Sequence, residues 1–202
     1  MKRLLDILVS LVGLIVMAPL FAIIGLAIRL DSKGPVFFVQ KRVGKEGKPF
    51  QACKFRTMVQ GATDQGAGLF IEGQDDPRIT RVGRFLRRWS LDELPQFINI
   101  LRGEMSVVGP RPTLLYQVEQ YDEFQRRRLE VKPGITGWAQ IHGRNVLSWP
   151  ERIKYDVWYV DNRSLRLDVE IIAKTFPVLF KREGLYADKE KFIIRSQDEK
   201  RR

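Results

Sequence analysis

The stretch from Ile7 to Ile28 contains no charged residue, and it constrains this chain more than any other feature. As continuous helix, these roughly 22 positions reach about 33 Å, enough to cross a hydrocarbon core. A cleaved signal peptide fits poorly, because the apolar run is too long and no small-x-small cleavage site follows it. Lys2 and Arg3 precede the run, while Arg29, Lys33, Lys41, Arg42, Lys45 and Lys48 follow it. Positive residues on both flanks leave the orientation rule without a local winner. Pro19 sits near the middle, where it removes a backbone hydrogen bond and bends a helix. Two arrangements satisfy these facts: a kinked span, or a helix–break–helix that enters and leaves by one face. In the second, the freed carbonyls must find partners within the protein.

The remaining chain is long enough for one core-bearing domain. Thirty-five Lys and Arg against 24 Asp and Glu leave a net charge of +11. That surplus favours polyanionic partners: nucleic acid, anionic lipid or phosphorylated substrates. The single cysteine, Cys53, excludes an intramolecular disulfide and any Cys-rich zinc site. A single histidine, His142, leaves little for imidazole-based nucleophile schemes and reads as structural.

Val36–Gln40 and Phe50–Phe55 flank the glycine turn Gly44–Lys48 and predict a β-hairpin. Residues 57–77 carry four glycines and few apolar anchors, which reads as a mobile loop. Val82, Phe85, Leu86 and Trp89 repeat at helical spacing, with arginines on the other faces. Such a helix suits either a core contact with a solvated basic face or the lipid interface. Leu165, Val169, Ile172, Phe176 and Leu179 form a second stripe, which Pro177 is expected to break or kink. From Lys181 onward, mixed charges predict a partly flexible tail, 181–202.

Three stretches carry candidate chemistry. In Ser90–Gln96, Ser90 and Glu93 have capping-box spacing, so a helix start is the plain reading. The same segment offers Asp92, whose carboxylate, kept ionised by nearby amides, can attack phosphorus. Adjacent helical residues diverge by about 100°, so Asp92 and Glu93 suit divided tasks: one at the reacting phosphate, the other at a metal. Gly109–Pro112 fixes Arg111 between two prolines, as a rigid surface turn or as a two-pronged phosphate clamp. Lys132–Trp138, followed by Gly143, Arg144 and Asn145, is either a turn-rich connection or a backbone approach to phosphate or base. Neither a Walker motif nor a G-x-G-x-x-G fingerprint occurs.

Taken together, these motifs resemble the bacterial sugar transferase family, the monotopic phosphoglycosyl transferases that act on polyprenyl phosphate. The likeness runs through Gly34–Phe38, Lys54–Met58, Asp76–Gly83, Ser90–Gln96, Arg102–Ser106, Val108–Pro112 and Lys132–Asn145, in order and across nearly the whole chain. It implies a minimal form of the family with an α+β, mostly helical fold. The expected parts are a re-entrant membrane helix over 1–30 broken at Pro19, a small β-hairpin, and amphipathic interfacial helices around the active site. Residues 31–202 would form a membrane-associated catalytic domain on the cytoplasmic face of the bacterial inner membrane. By position, Asp92 resembles the family's nucleophile and Glu93 its acidic partner at Mg²⁺. Arg111 resembles the phosphate-binding arginine, and Lys54, Arg78, Arg144 and Asn145 would contact substrate. Asp156 and Asp168 match acidic positions of the family's C-terminal part and are expected at the substrate site. Ala18 stands where many members have serine, and His142 where a small polar residue is expected.

The implied partners are a UDP-sugar, polyprenyl (undecaprenyl) phosphate and membrane lipids, with no nucleic acid. The implied reaction moves a sugar 1-phosphate to the lipid through an aspartyl-phosphosugar and releases UMP, initiating membrane glycoconjugate (polysaccharide) assembly. A non-enzymatic basic protein of the membrane surface, or a nucleic-acid binder, would also explain the charge. Neither needs Asp92 and Glu93.

Overall fold

The computed structural model describes residues 1–65, 68, 73, 75–143 and 146–181. Helix α1 spans Lys2–Asp31 and contains Pro19. The break expected there is therefore corrected: the helix continues through Pro19 without interruption. A proline withholds one amide and crowds one carbonyl, which distorts a long helix without ending it when the neighbouring turns hold. The tail beyond Lys181 lies outside the described residues.

Both ends of α1 are tied to the same globular body. At the start, the Lys2 ammonium meets the Asp168 carboxylate at 2.7 Å, and the Arg3 guanidinium donates to the carbonyls of Ile100 and Leu101. Asp6 is buried and accepts from the Ser106 hydroxyl and the Val107 amide, each at 2.9 Å. At the far end, Phe21 packs edge-on against Phe55, and Ile24 and Ile28 join Phe55 and Leu86 in a buried cluster. Asp31 accepts from the Val82 amide. The opposite face, with Leu8, Val12, Ile15, Val16, Ile23 and Leu26, lies exposed. By length and a mean hydropathy of 2.8, α1 is able to cross a membrane. An apolar face this long is stable against lipid and costly against water.

Strands β1 (Phe37–Val43) and β2 (Pro49–Phe55) form the expected antiparallel hairpin, pairing Phe37 with Phe55 and Phe38 with Lys54. Glu46 takes a left-handed conformation in its turn. Arg56, just beyond β2, is buried and donates to the carbonyls of Ser32, Lys33 and Pro35, fixing the hairpin to the exit of α1. Helix α2 (Arg81–Arg88) is capped by Thr80, whose hydroxyl accepts from the Gly83 amide. Its stripe divides: Leu86 is buried against α1 and Phe85 is exposed.

Helix α3 (Gln96–Arg102) leads to β3 (Ser106–Val108), which pairs in parallel with β4 (Gly134–Thr136). Between them lie the short helices α4 (Leu115–Val118) and α5 (Glu123–Arg126). Helices α6 (Trp138–Ile141), α7 (Trp149–Asn162) and α8 (Leu165–Lys181) complete the fold. Of the break or kink expected at Pro177, the break does not occur, since α8 runs through it. The main core joins Ala52, Ile100, Met105, Val108, Tyr159 and Ile171, so β2, α3, β3, α7 and α8 share one apolar centre. The result is the mostly helical α+β architecture expected.

Candidate active site

The segment after α2 turns sharply. Ser90 adopts a left-handed conformation (φ 55°), and Leu91–Glu93 form one 3₁₀ turn before α3 begins beyond Pro95. The capping box expected from Ser90 and Glu93 does not form. The Glu93 side chain turns instead toward two cations: Oε1 accepts from Lys54 at 2.8 Å, and the Arg111 guanidinium binds both carboxylate oxygens. Lys54 comes from β2 and Arg111 from the loop after β3, so three chain segments meet here. Burial opposes charge on Glu93, but Arg111 and Lys54 hold its carboxyl well below the usual range.

Asp92 is different. It is partly exposed, and its carboxylate makes no hydrogen bond or ion pair with another described residue. Burial and the adjacent Glu93 charge push its carboxyl up, against the pull of Lys54, Arg87 and Arg111. The expected amide donors are absent among the described residues, so the direction is the reverse of the sequence reading. Arg87 stays close because its Nε donates to the Thr57 hydroxyl. The two acids thus diverge: Glu93 is a fixed anion, and Asp92 is an unpaired carboxylate whose charge burial and Glu93 disfavour and the three nearby cations favour.

The loop that carries Arg111 is held at four successive carbonyls. Pro110 O accepts from Gly134 N, Arg111 O from Arg128, Pro112 O from Arg42 and Thr113 O from Val43 N. At the head of the loop, a Cβ on Gly109 would lie 2.3 Å from the Lys132 carbonyl oxygen. Gly109→Ala is therefore expected to separate β3 from Lys132–Gly134, with loss of stability on the order of several kcal/mol and of Arg111 placement. Thermal unfolding of the purified variant measures the first, and donor turnover the second.

Asp156 is fully buried and paired with Arg128 at 2.6 Å. Arg128 also reaches the Tyr121 hydroxyl and the Arg111 carbonyl, so Asp156 supports the Arg111 loop from the interior. Asp168 departs further from expectation. It is bound by Lys2 and by the Tyr159 hydroxyl, and it anchors the start of α1. Arg78 is likewise corrected. Its guanidinium is buried, binds Asp76 through two nitrogens and donates to the carbonyls of Ala62, Gln65 and Gly68. It ties together the described part of loop 57–77 through these carbonyls. Arg144 and Asn145 lie outside the described residues. The His142 ring stacks on Tyr155, and its Nδ1 lies 2.8 Å from the Trp138 carbonyl, in keeping with a structural role.

Residues not singled out from sequence complete the site. A small cleft beside Glu93 is lined by Arg42, Ala52, Lys54, Gln96, Arg111 and Pro112. Arg152, buried and lying over the Trp149 ring, adds positive charge, and burial with neighbouring Arg111 pushes it down to about 10. Arg128 sits in an Arg-Arg-Arg run that reads as a solvated patch. No local signal separates its buried third member from the other two.

Residues 1–182 match the model of a family described as bacterial sugar transferase. The chain belongs to that family. It is 45% identical over 185 residues to the uncharacterized sugar transferase EpsL of Bacillus subtilis (strain 168), covering 92% of this chain and 90% of that protein. It is 40% identical to the exopolysaccharide production protein ExoY of Sinorhizobium fredii (strain NBRC 101917 / NGR234), covering 92% and 88%. The UDP-glucose:undecaprenyl-phosphate glucose-1-phosphate transferase of Escherichia coli (strain K12) is 43% identical over 183 residues, which is 87% of this chain but 39% of that longer protein. For a sugar transferase, an acid pair among arginines at the foot of an apolar helix is a coherent site. Membrane association accords with the exposed face of α1.

The contrast between the two acids gives a pH prediction. If an ionised Asp92 is required, activity rises with pH through a carboxyl value above the ordinary one. Glu93→Gln removes a repelling charge and releases Lys54 and Arg111 toward Asp92. The acid limb of kcat/KM should then move to lower pH while the maximal rate falls. A limb that stays put or moves upward would show that Asp92 is not the titrating group.

Proposed function

We propose that this protein transfers a sugar 1-phosphate from a UDP-sugar to a polyprenyl phosphate, undecaprenyl phosphate in the bacterial membrane. The observation that carries the reading is the unpartnered Asp92 carboxylate beside a Glu93 locked by Lys54 and Arg111. The names of relatives such as the Escherichia coli glucose-1-phosphate transferase support the same donor and acceptor classes.

The donor diphosphate lies along Arg111 and Lys54, which offset its charge. An Asp92 oxygen attacks the sugar-bearing phosphorus, forming a carboxyl–phosphate bond. The bond from that phosphorus to the bridging oxygen breaks, and the electron pair leaves with UMP. A polyprenyl phosphate oxygen then attacks the same phosphorus, frees the Asp92 carboxylate and yields a polyprenyl diphosphate sugar. Two steps spare the site from holding both charged substrates at once. The α1 anchor would bring the lipid phosphate to the site. A perpendicular span would set Asp6 and Asp31 about 37 Å apart on opposite faces, yet both bond to one body. That supports a re-entrant helix over 1–30 whose ends return to one face, the face that carries the catalytic domain, 31–202; we infer that this is the cytoplasmic face.

Mg²⁺ fits this donor set. Three of the roughly four acceptor positions of the Glu93 carboxylate are taken, leaving one, with Asp92 adjacent. Mg²⁺ commonly uses one or two carboxylates and completes its shell with substrate phosphates and water. Glu93 would hold it against the diphosphate, where it would neutralise charge on the leaving phosphate and leave Asp92 free to attack.

The test is incubation of the purified protein with Mg²⁺ and a panel of UDP-sugars, with and without undecaprenyl phosphate. UMP release with one sugar, dependent on lipid and stopped by chelation, is expected. Intact-mass measurement without lipid should show a phosphosugar on Asp92. Turnover without an adduct would favour direct attack in a ternary complex, with Asp92 as base or metal ligand. Salt-sensitive binding of anionic vesicles or nucleic acid, with no release from any sugar, would favour a non-enzymatic basic protein.

A further inference from the structure

Arg42 is the cation of the cleft that the acid pair does not use. Lys54 and Arg111 are both bound to Glu93, whereas Arg42 has no carboxylate within ion-pair distance among the described residues. Its Nε and one terminal nitrogen share the Gln40 amide oxygen, and its other terminal nitrogen donates to the Pro112 carbonyl at 3.2 Å. These neutral partners leave its charge uncompensated. Burial, with neighbouring Arg111, pushes it down to about 10, so it remains a cation at neutral pH.

A second observation falls on the same cleft. Gln96, at the first position of α3, is 2% exposed and lines the cleft, and its Oε1 is buried without a hydrogen-bond partner. A buried amide atom left unpaired is costly unless a ligand or water meets it. The two ends of a carboxamide are interchangeable by rotation, so Gln96 presents either a donor or an acceptor there. A guanidinium with no carboxylate partner together with an adaptable amide, walled by Lys54 and Arg111, has the chemistry of a phosphate site. Arg42, Lys54 and Arg111 put three positive charges on the cleft wall against the two neighbouring carboxylates, which suits phosphate.

We propose that Arg42 and Gln96 form a second phosphate-binding subsite beside Glu93, distinct from the Arg111 clamp. This rests on the transferase reading, since the phosphate would belong to either the nucleotide donor or the lipid acceptor. The chemistry is the same for both: a guanidinium fork and an amide on phosphate oxygens.

Two measurements separate the sources and the failures. The first is calorimetric binding of UDP, and separately of undecaprenyl phosphate, to the full chain in detergent, for wild type, Arg42→Gln and Gln96→Leu. Arg42→Gln keeps a donor for the Pro112 carbonyl, and circular dichroism checks that the fold persists. A tenfold or greater loss of UDP affinity with lipid-phosphate affinity unchanged assigns the subsite to the donor. The reverse pattern assigns it to the acceptor. Equal affinities in folded wild type and Arg42→Gln for both ligands overturn the subsite. The second is steady-state kinetics with an active UDP-sugar, where a subsite raises the KM of one substrate selectively. A fall in kcat alone, with both KM values unchanged, reduces Arg42 to a support of the Arg111 loop and also overturns the proposal. Arg42-dependent binding in a wild type that turns over no donor would preserve the subsite and sink the transferase reading.

Discussion

Asp92→Asn is expected to abolish UMP release and lipid glycosylation, by about three orders of magnitude or more, while leaving the protein folded. On the proposed mechanism the size follows from the loss of a covalent nucleophile, since an amide cannot form the carboxyl–phosphate bond. Stability should move the other way. Burial and Glu93 raise the Asp92 carboxyl in the folded state. A carboxyl raised by folding contributes stability below its unfolded value and loses it as pH rises through the folded value. At neutral pH the charged Asp92 is therefore a small liability, and Asn should match or exceed the wild-type Tm. Thermal unfolding and UMP release on the same preparation check both limbs. An inactive and unstable Asp92→Asn would point to a structural carboxylate, and a fully active one would remove Asp92 from the chemistry.

Asp156→Ala should be the most destabilising single change among the residues expected at the substrate site. Arg128 and Asp156 are each 1% exposed in their side chains and meet at 2.6 Å. Deleting one partner strands the other charge in the interior, at a cost of about 3–5 kcal/mol. For a chain of this size that corresponds to a fall in Tm of about 6–20 °C. Activity should fall as well, because Arg128 carries the Arg111 carbonyl. Exchanging both partners, as Asp156→Ala with Arg128→Met, should recover much of the stability but not the activity. Replacing a whole buried pair by apolar groups is close to neutral, whereas the missing hydrogen bond still frees the Arg111 loop. Equal destabilisation by the single and double variants would refute the stranded-charge account.

Arg78 and Asp168, expected at the substrate site, are buried among partners within the fold. Both are charged and lie in family-like stretches, so sequence grouped them with the site. In the fold, Arg78 gathers carbonyls of its own loop, and Asp168 secures Lys2 across more than 160 residues of chain. Asp6 went unremarked because one acid before an apolar run looks like a flank, yet it clasps β3.

What the sequence determined by itself was whatever depends on local order. The uncharged run fixed α1, the glycine turn fixed the hairpin, and the prolines around Arg111 limited its backbone. The ordered motifs also identified the family. Only the tertiary structure decided partnership. Lys54, Glu93 and Arg111 are remote in sequence and become one ion cluster because β2, the 3₁₀ turn and the post-β3 loop converge. The same convergence separates Asp92 from Glu93 in character, one left open and the other locked. Electrostatic roles are set by distances through space and by burial, and a sequence encodes neither until the chain has folded.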